Sequence, residues 1–255
     1  MTVNVSLSDL MQAFIQVGLR AGDGVIVHSS LSSLGRVEGG AEGGAETVID
    51  ALQNVITLKG TLLMPSFNHG APFEAGGTGV YDPKTIPSTN GAIPDAFWRR
   101  PDVHRSLNPT HAFAAWGARS AHYIEGHEHT LTLGPDSPLG RLWQDDGYGL
   151  LLGVDYRVNT FHHLVETVTG APCLGRRTEA YPVRLPNGEL VTGRTWGWRE
   201  APCPLTDNGS YGETLAQLGL ERRAKVGNAS LRLFRLSEAY TVDLLQKSDS
   251  EVGIG

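Results

Sequence analysis

A histidine and a glutamate near the middle of the chain have the spacing of a general base and its partner. His163 and Glu166 are three residues apart, so in a helix their side chains lie on one face. A carboxylate beside an imidazole fixes the tautomer of the ring and favours its protonated form, as a general base requires. The same spacing is also frequent in helices whose charged side chains only face solvent, and the spacing alone leaves both interpretations open.

The residues before this pair predict the elements that position it. The apolar run at 150–152 is typical of a buried strand. Asn159 and Thr160 favour the start of a helix, because both residue types cap helix N-termini well. A strand, a loop and a helix start are therefore expected here, and this is a common place for ligand binding in α/β proteins.

Composition and charge restrict the class of protein. The 255 residues are 40% hydrophobic and 19% charged, which is ordinary for a soluble globular chain. With no evident linker, we expect a single domain over residues 1–247 and a flexible tail at 248–255. The formal net charge of −6 argues against a nucleic-acid partner and is compatible with a cationic substrate.

Localisation is predicted from what the sequence lacks. We find no signal-peptide pattern and no apolar run of about 18 residues that would predict a membrane span. Cys173 and Cys203 show no metal-binding spacing. They fit a reducing cytoplasm, although the sequence leaves a disulfide between them open. We therefore predict a cytoplasmic protein.

Earlier in the chain, two loops carry polar groups suited to a ligand. A predicted strand runs directly into His28, Ser29, Ser30 and Leu31, whose N–H groups and hydroxyls can bind a ligand; a plain turn with serine caps is the alternative. The long segment 66–89 is rich in Gly, Pro, Asn and Thr, and such loops are usually functional or disordered. The polar residues of this loop that could face a substrate are Asn68, His69, Glu74 and Asp82.

Two local patterns predict smaller features. The unit Gly-Gly-Ala-Glu occurs at 39–42 and again at 43–46, which we interpret as a duplication within a loop, ahead of a helix from about residue 45 to 56. The segment 181–191 alternates around Pro186, Asn187 and Gly188, a turn signal that predicts an antiparallel hairpin. We interpret this hairpin as a small insertion on the main α/β body.

A pair of histidines suggests a different chemistry. His127 and His129 form an H-x-H pattern, which binds zinc or copper when other ligands converge on it. No third ligand is fixed by spacing, so a solvated loop is the simpler interpretation. The alternative function that this pair supports is a metal-dependent hydrolase.

Taken in order, these pieces make the chain similar to a known family. It resembles the aminoglycoside 3-N-acetyltransferases, also called antibiotic acetyltransferases, over roughly residues 7–245. The matching segments are 27–31 (Val-His-Ser-Ser-Leu) with 34–35 (Leu-Gly), 60–65 (Gly-Thr-Leu-Leu-Met-Pro), 82–83 (Asp-Pro), 87–88 (Pro-Ser), 105–106 (Arg-Ser), 108–109 (Asn-Pro), 137–139 (Ser-Pro-Leu), 151–153 (Leu-Leu-Gly), 159–166 (Asn-Thr-Phe-His-His-Leu-Val-Glu) and 226–229 (Val-Gly-Asn-Ala).

The resemblance implies a fold and an activity. The fold is a three-layer α/β/α sandwich, and the activity is acetyl transfer from acetyl-CoA to an aminoglycoside amine, the 3-amino group, with no metal. The family's T-x-x-H-x-x-E pattern falls on Thr160, His163 and Glu166. His163, and not its neighbour His162, is then the base, and Glu166 completes the catalytic pair.

Binding residues are also implied by the resemblance. Those expected at the coenzyme A site are His28, Ser29, Ser30, Leu31, Gly35, Arg36, Val37, Arg105 and Ser106. The backbone amides of Ser29 to Leu31 are candidate donors to the developing oxyanion. Those expected to bind a polycationic aminoglycoside are Asn68, Glu74, Asp82 and Asp207. The expected assembly is a monomer or a homodimer.

Departures from the family pattern affect the expected substrate. The Arg-Ser turn usually continues with His-Pro, and here Asn108 takes the histidine position; Ala112 stands where a serine commonly precedes the next strand. An acetyl-CoA-dependent transferase of a different small amine is therefore the main alternative. A protein that binds coenzyme A or a small molecule without catalysis is a further one.

Overall fold

The computed structural model describes residues 4–170, 178–196 and 210–252. Its strands are β1 (Asn4–Val5), β2 (Gly24–Ser29), β3 (Arg36–Val37), β4 (Thr61–Pro65), β5 (His104–Arg105), β6 (Phe113–Gly117), β7 (Tyr148–Leu152), β8 (Thr178–Arg184), β9 (Leu190–Trp196), β10 (Arg222–Val226) and β11 (Ala229–Arg235). Its helices are α1 (Leu7–Val17), α2 (Gly40–Ile56), α3 (Ala92–Trp98), α4 (Ser120–Ile124), α5 (Pro138–Gln144), α6 (Phe161–Thr169), α7 (Ser210–Gln217) and α8 (Leu236–Val252).

A mixed sheet forms the centre of the fold. Its strand order is β10-β11-β7-β2-β4-β6-β5. The central strand β2 pairs in parallel with β4 and with β7, whereas the outer pairs are antiparallel. The carboxyl ends of β2, β4 and β7 therefore lie at one edge of the sheet, where open α/β sheets bind ligands.

Helices cover both faces of this sheet. Along β2, Val25 and Val27 contribute to the core that α1, α2 and α3 cover, and Ile26 contributes to the core that α4, α5, α6 and α8 cover. This alternation is the two-residue period of a strand that is buried on both sides. The predicted α/β/α sandwich is thus confirmed, with the hairpin of β8 and β9 forming its own two-stranded sheet.

Local signals explain several element boundaries. Ser6 accepts a hydrogen bond from the Asp9 N–H, and Asp9 accepts one from the Ser6 N–H in return, which is the capping box that starts α1. Gly18 ends the helix at φ 113°, a backbone conformation that favours glycine. At the hairpin turn, the Gly188 N–H donates to the Leu185 carbonyl at 2.9 Å. The predicted hairpin is confirmed, since β8 and β9 pair as antiparallel strands on either side of this turn.

The glycine-rich duplication differs from its prediction. Helix α2 begins at Gly40, so the second Gly-Gly-Ala-Glu unit is helical and not part of a loop. The helix is held at this end by packing and by hydrogen bonds. A Cβ on Gly44 would come within 3.3 Å of the Val37 Cβ, and Thr47 Oγ1 donates to the Glu38 carbonyl at 2.8 Å. Glycine here permits close packing, which outweighs its low helix propensity.

The C-terminal region also differs in part from its prediction. Helix α8 extends to Val252, so residues 248–252 of the predicted tail are helical. The basic segment that follows α7 forms strand β10, which pairs with β11. No strand was predicted there. In the part of the chain that the structure describes, no helix combines the length and the apolar character needed to cross a membrane.

Candidate active site

The candidate site lies where β2 and β7 end side by side. Ser29 pairs with Leu152, and the chain leaves β7 through Gly153 at φ 69°. A Cβ on Gly153 would lie 1.7 Å from Ser33 Oγ, so glycine is required for the close approach of the two loops. The chain then passes through the turn Tyr156–Val158 into α6, which brings the start of α6 next to the serine-rich loop after β2.

The side chain of His28 on β2 contacts the start of α6. Its Nε2 atom lies 2.9 Å from Thr160 Oγ1 and 3.2 Å from the Thr160 backbone nitrogen. Burial lowers the pKa of His28 to about 4, so the ring is neutral near pH 7. Asn159 Oδ1 accepts the Phe161 N–H at 3.2 Å, whereas Thr160 makes no capping bond with its side chain. Of the two predicted caps, Asn159 is the one that bonds to the helix start.

The predicted histidine–glutamate pair is in contact on α6. His163 Nδ1 lies 2.6 Å from Glu166 Oε2. The His163 side chain is 27% exposed, and that of Glu166 is fully buried. An ionised carboxylate only accepts hydrogen bonds, so Nδ1 carries the proton and Nε2 of the neutral ring keeps a lone pair. This is the tautomer that a general base needs.

The neighbouring histidine contacts the same carboxylate. His162 Nε2 lies 3.2 Å from Glu166 Oε1, and its Nδ1 lies 2.9 Å from Asp243 Oδ2 on α8. Burial raises the pKa of Glu166, but hydrogen bonds from His162 and His163 outweigh burial and hold that pKa well below its usual range. Sequence reasoning missed Asp243, because no local pattern connects residues 81 positions apart.

Part of the predicted coenzyme A set lines one cleft. The cleft has a volume of about 740 Å³ and includes the start of α2. The predicted residues that line it are Ser29, Ser30, Leu31, Gly35, Arg36 and Val37. The Ser30 N–H donates to the Leu152 carbonyl at 3.0 Å, so this amide is engaged in the sheet and is not a donor to an oxyanion. His28, as described above, holds α6 and does not line the cleft.

Arg105 holds a loop in place and is not among the residues that line the cleft. Its guanidinium donates to the carbonyls of Pro83, Ile86 and Ser66. It also lies over the Trp98 ring, 4.3 Å from the centroid. Burial lowers the pKa of Arg105, and the three carbonyls replace the water that the cation loses. These contacts give Arg105 a structural role, and its expected contact with coenzyme A stays a prediction.

Ser106 and His127 form a second buried unit. Ser106 Oγ lies 2.8 Å from His127 Nδ1 and accepts the Phe113 N–H at 2.8 Å. His127 Nε2 lies 2.9 Å from the Thr132 carbonyl, which only accepts, so Nε2 carries the proton. Burial lowers the pKa of His127 to about 4. Ser106 is fully buried and is also not part of the cleft lining.

The surroundings of His127 and His129 argue against the metal-dependent hydrolase. His127 is fully buried with both ring nitrogens in contact with protein atoms, whereas the His129 side chain is 69% exposed. The two rings therefore do not form a chelating pair. Across residues 4–170, 178–196 and 210–252, no cluster of three or more His, Cys, Asp or Glu side chains could hold a metal ion.

The predicted substrate residues have different surroundings. Asn68 is buried and donates to the Pro109 carbonyl at 2.9 Å. Asp82 forms a 3.3 Å ion pair with Arg184 of the hairpin. Glu74 is exposed on the loop surface. Asp207 lies outside the described residues, as do Cys173 and Cys203.

Two further histidines pack against each other, and one of them is affected by the charge of His163. His69 and His111 have ring centroids 5.3 Å apart, and Phe67 packs against both rings. Burial and then the charges of His69, His163 and His127 lower the pKa of His111 to about 3. His111 was not predicted, since nothing local distinguishes it. It is held in place by Asn108, whose Oδ1 accepts the His111 N–H at 2.9 Å.

Asn108 also explains one departure from the family pattern. Its Nδ2 donates to the Arg194 carbonyl of β9 at 3.0 Å. The side chain is fully buried and joins the turn at 108–111 to the hairpin. At this position the residue therefore serves as a structural bridge.

Comparisons with known proteins identify the family of this chain. A family model described as aminoglycoside 3-N-acetyltransferase matches residues 26–245. The SPbeta prophage-derived aminoglycoside N(3')-acetyltransferase-like protein YokD of Bacillus subtilis is 34% identical, over 91% of this chain and 87% of that protein. The aminoglycoside N(3)-acetyltransferase VII of Streptomyces paromomycinus is 31% identical, over 90% of this chain and 87% of that protein.

A solved structure shows that the similarity includes the three-dimensional fold. A mutant of AAC(3)-IVa in complex with a gentamicin superposes with a TM-score of 0.81 at 30% identity, covering 98% of this chain and 90% of that one. The family match covers most of the chain, including β2, β7 and the His163–Glu166 pair. The chain therefore belongs to the aminoglycoside 3-N-acetyltransferase family.

Proposed function

We propose that this protein transfers the acetyl group of acetyl-CoA to the 3-amino group of an aminoglycoside, with His163 as the general base. The observation that carries the proposal is the 2.6 Å contact between His163 Nδ1 and Glu166 Oε2, on the helix whose start contacts His28 of β2. This contact commits Nδ1 to the carboxylate and leaves Nε2 to take a proton.

The cleft has suitable groups for coenzyme A. Arg36 and the start of α2 at Gly40 line it, and a cationic side chain with a helix N-terminus favours phosphate groups. When bound, acetyl-CoA supplies an activated acetyl thioester. His28 links the cleft to the base, because it precedes Ser29 on β2 and contacts Thr160 at the start of α6.

The proposed step is direct transfer. As the substrate nitrogen bonds to the thioester carbonyl carbon, the carbon–sulfur bond breaks and His163 Nε2 removes the proton that the nitrogen loses. The proton is then available to the departing thiolate. Glu166 keeps the ring oriented and stabilises its protonated form. Of the amides expected at the oxyanion, Leu31 is retained as a candidate, and Ser30 is excluded by its bond to Leu152.

The substrate class is supported by charge and by the relatives. The formal net charge of the chain is −6, which favours a polycationic substrate. Structures of AAC(3)-IVa mutants hold a gentamicin and apramycin. Among the acidic groups expected to contact the substrate, we retain Glu74, which is exposed, and Asp207, which lies outside the described residues. Asp82 already pairs with Arg184.

The test is thiol release from acetyl-CoA in the presence of separate aminoglycosides, including gentamicin and apramycin, and of small non-aminoglycoside amines. We expect turnover with aminoglycosides, and NMR of the product should locate the new amide at the 3-amino nitrogen. Turnover only with other amines would replace the substrate class and keep the reaction. Coenzyme A binding without turnover on any amine would contradict the proposal.

A further inference from the structure

Glu166 contacts two histidines at once. Its Oε2 lies 2.6 Å from His163 Nδ1, and its Oε1 lies 3.2 Å from His162 Nε2. The spacings of three and four residues bring both rings to the same face of α6 as the carboxylate. Because Glu166 is fully buried, the charge of its carboxylate depends on the protein groups around it, and these two rings are among them.

The second histidine also has two carboxylates around it. His162 Nδ1 lies 2.9 Å from Asp243 Oδ2 on α8. The side chains of His162 and Asp243 are 2% and 4% exposed. Tyr211 of α7 stacks on the His162 ring, with centroids 6.1 Å apart and planes 12° from parallel. The charged and titratable described groups facing this ring are thus Glu166, His163, Asp243 and Tyr211.

The charge of His162 follows from its two contacts. A neutral imidazole donates from one nitrogen only, and its other nitrogen would direct a lone pair at an ionised carboxylate. An imidazolium is attracted to both carboxylates, because its Nδ1 lies 2.9 Å from Asp243 Oδ2 and its Nε2 lies within ion-pair distance of Glu166 Oε1, at 3.2 Å. The arrangement therefore favours the charged ring between Glu166 and Asp243.

We propose that His162 and Asp243 are positioning residues for His163, with a charged His162 ring that holds Glu166 ionised and correctly oriented. Asp243 anchors that ring to α8, so the reactive face of α6 depends on a helix 81 positions away in the sequence. This inference rests on the proposed function for its kinetic consequences, and the charge of His162 can be measured independently of turnover.

The kinetic test uses His162→Gln, which removes the cation and keeps a polar side chain. We expect kcat to fall on the order of tenfold, less than the range for losing the base itself, with KM for acetyl-CoA unchanged. The acid limb of the pH–rate profile should move to higher pH. The reason is that the charge of Glu166 would no longer be shared with His162, so it would favour a proton on His163 more strongly.

A matched control separates this role from simple packing. Tyr211→Phe removes the hydroxyl that accepts from Asn159 Nδ2 at 2.6 Å and keeps the ring against His162. We expect it to lower the melting temperature and to leave the acid limb in place. Asp243→Asn should move the limb in the same direction as His162→Gln. If the acid limb of the pH–rate profile stays in place in both His162→Gln and Asp243→Asn, the positioning role is wrong.

An independent measurement needs no substrate. In protein with ¹⁵N-labelled histidine, the signals absent from His162→Gln identify the ring of residue 162. We expect the imidazolium pattern above about pH 7, where an ordinary histidine is neutral. A neutral pattern there would overturn the proposal even in an active enzyme. Failure of the wild-type protein to acetylate any amine would contradict the proposed function and leave this result standing.

Discussion

Two histidines in this molecule, His163 and His127, have opposite surroundings. On α6, His163 contacts a buried carboxylate through Nδ1 and is 27% exposed. In the loop before α5, His127 is fully buried between the Ser106 hydroxyl and the Thr132 carbonyl. The first ring can gain a proton beside an anion, whereas the second would become a buried cation without one. The contacts of the two nitrogens, and not the residue type or a short motif, separate the proposed base from a structural histidine.

The largest expected effect is at His163. His163→Ala should lower kcat by about 10²–10⁴-fold, the usual range for losing a general base. Its affinity for coenzyme A, measured by calorimetry, should be retained because the cleft lining does not include it. Near-normal turnover in this variant would remove His163 from the role of base.

A smaller effect is expected at Glu166. Glu166→Gln keeps an oxygen for His163 Nδ1 but removes the negative charge that stabilises the imidazolium. We expect kcat/KM near neutral pH to fall on the order of tenfold, since each 1.4 kcal/mol of lost stabilisation is about tenfold in rate. The acid limb of the pH–rate profile should move to lower pH. A profile that superposes on that of the wild type would argue against the partnership.

At His127 the expected effect is on stability. Burial lowers the pKa of His127 to about 4 in the folded protein, whereas a histidine in the unfolded chain titrates at about 6.5. Between these pH values the unfolded state binds more protons, so the free energy of unfolding falls as pH falls, by about 1.4 kcal/mol per pH unit. His127→Gln should make that fall shallower and lower stability at pH 7 by about 1–3 kcal/mol.

Thermal or urea unfolding across this pH range checks the prediction for His127. The slope of stability against pH should differ between the variant and the wild type. Identical slopes would mean that this ring does not remain neutral in the folded protein.

The smallest effect is expected at the other half of the H-x-H pattern. His129 is 69% exposed and its described ion-pair contact is to Glu128 at 3.5 Å. His129→Ala should change neither the melting temperature nor kcat measurably, because exposed pairs of this kind contribute little. A clear loss of activity that added zinc restores would support the metal site and contradict the geometric argument against it.

The sequence predicted the parts of the site that depend on local spacing. The i,i+3 pair on α6 and the hairpin turn at Gly188 each follow from neighbouring residues. The resemblance also located the cleft-lining loop after β2. These features are recoverable because their physical cause lies within a few positions of the chain.

Contacts between distant segments were not predictable in this way. Arg105 and Ser106 were expected at the coenzyme A site, but Arg105 binds the carbonyls of Pro83, Ile86 and Ser66. The choice of those carbonyls depends on how the long loop folds back over β5. The contact between His162 and Asp243 likewise requires α8 to pack beside α6. A single sequence carries no local signal for either arrangement.

The most direct test of the central claim measures turnover per folded molecule for wild type, His163→Ala and His127→Gln in one assay with acetyl-CoA and an aminoglycoside. Circular dichroism would set the folded fraction of each variant. We predict loss of turnover in His163→Ala and near-wild-type turnover in the folded fraction of His127→Gln. Retained turnover in His163→Ala, with loss in folded His127→Gln, would contradict the assignment of base and structural histidine.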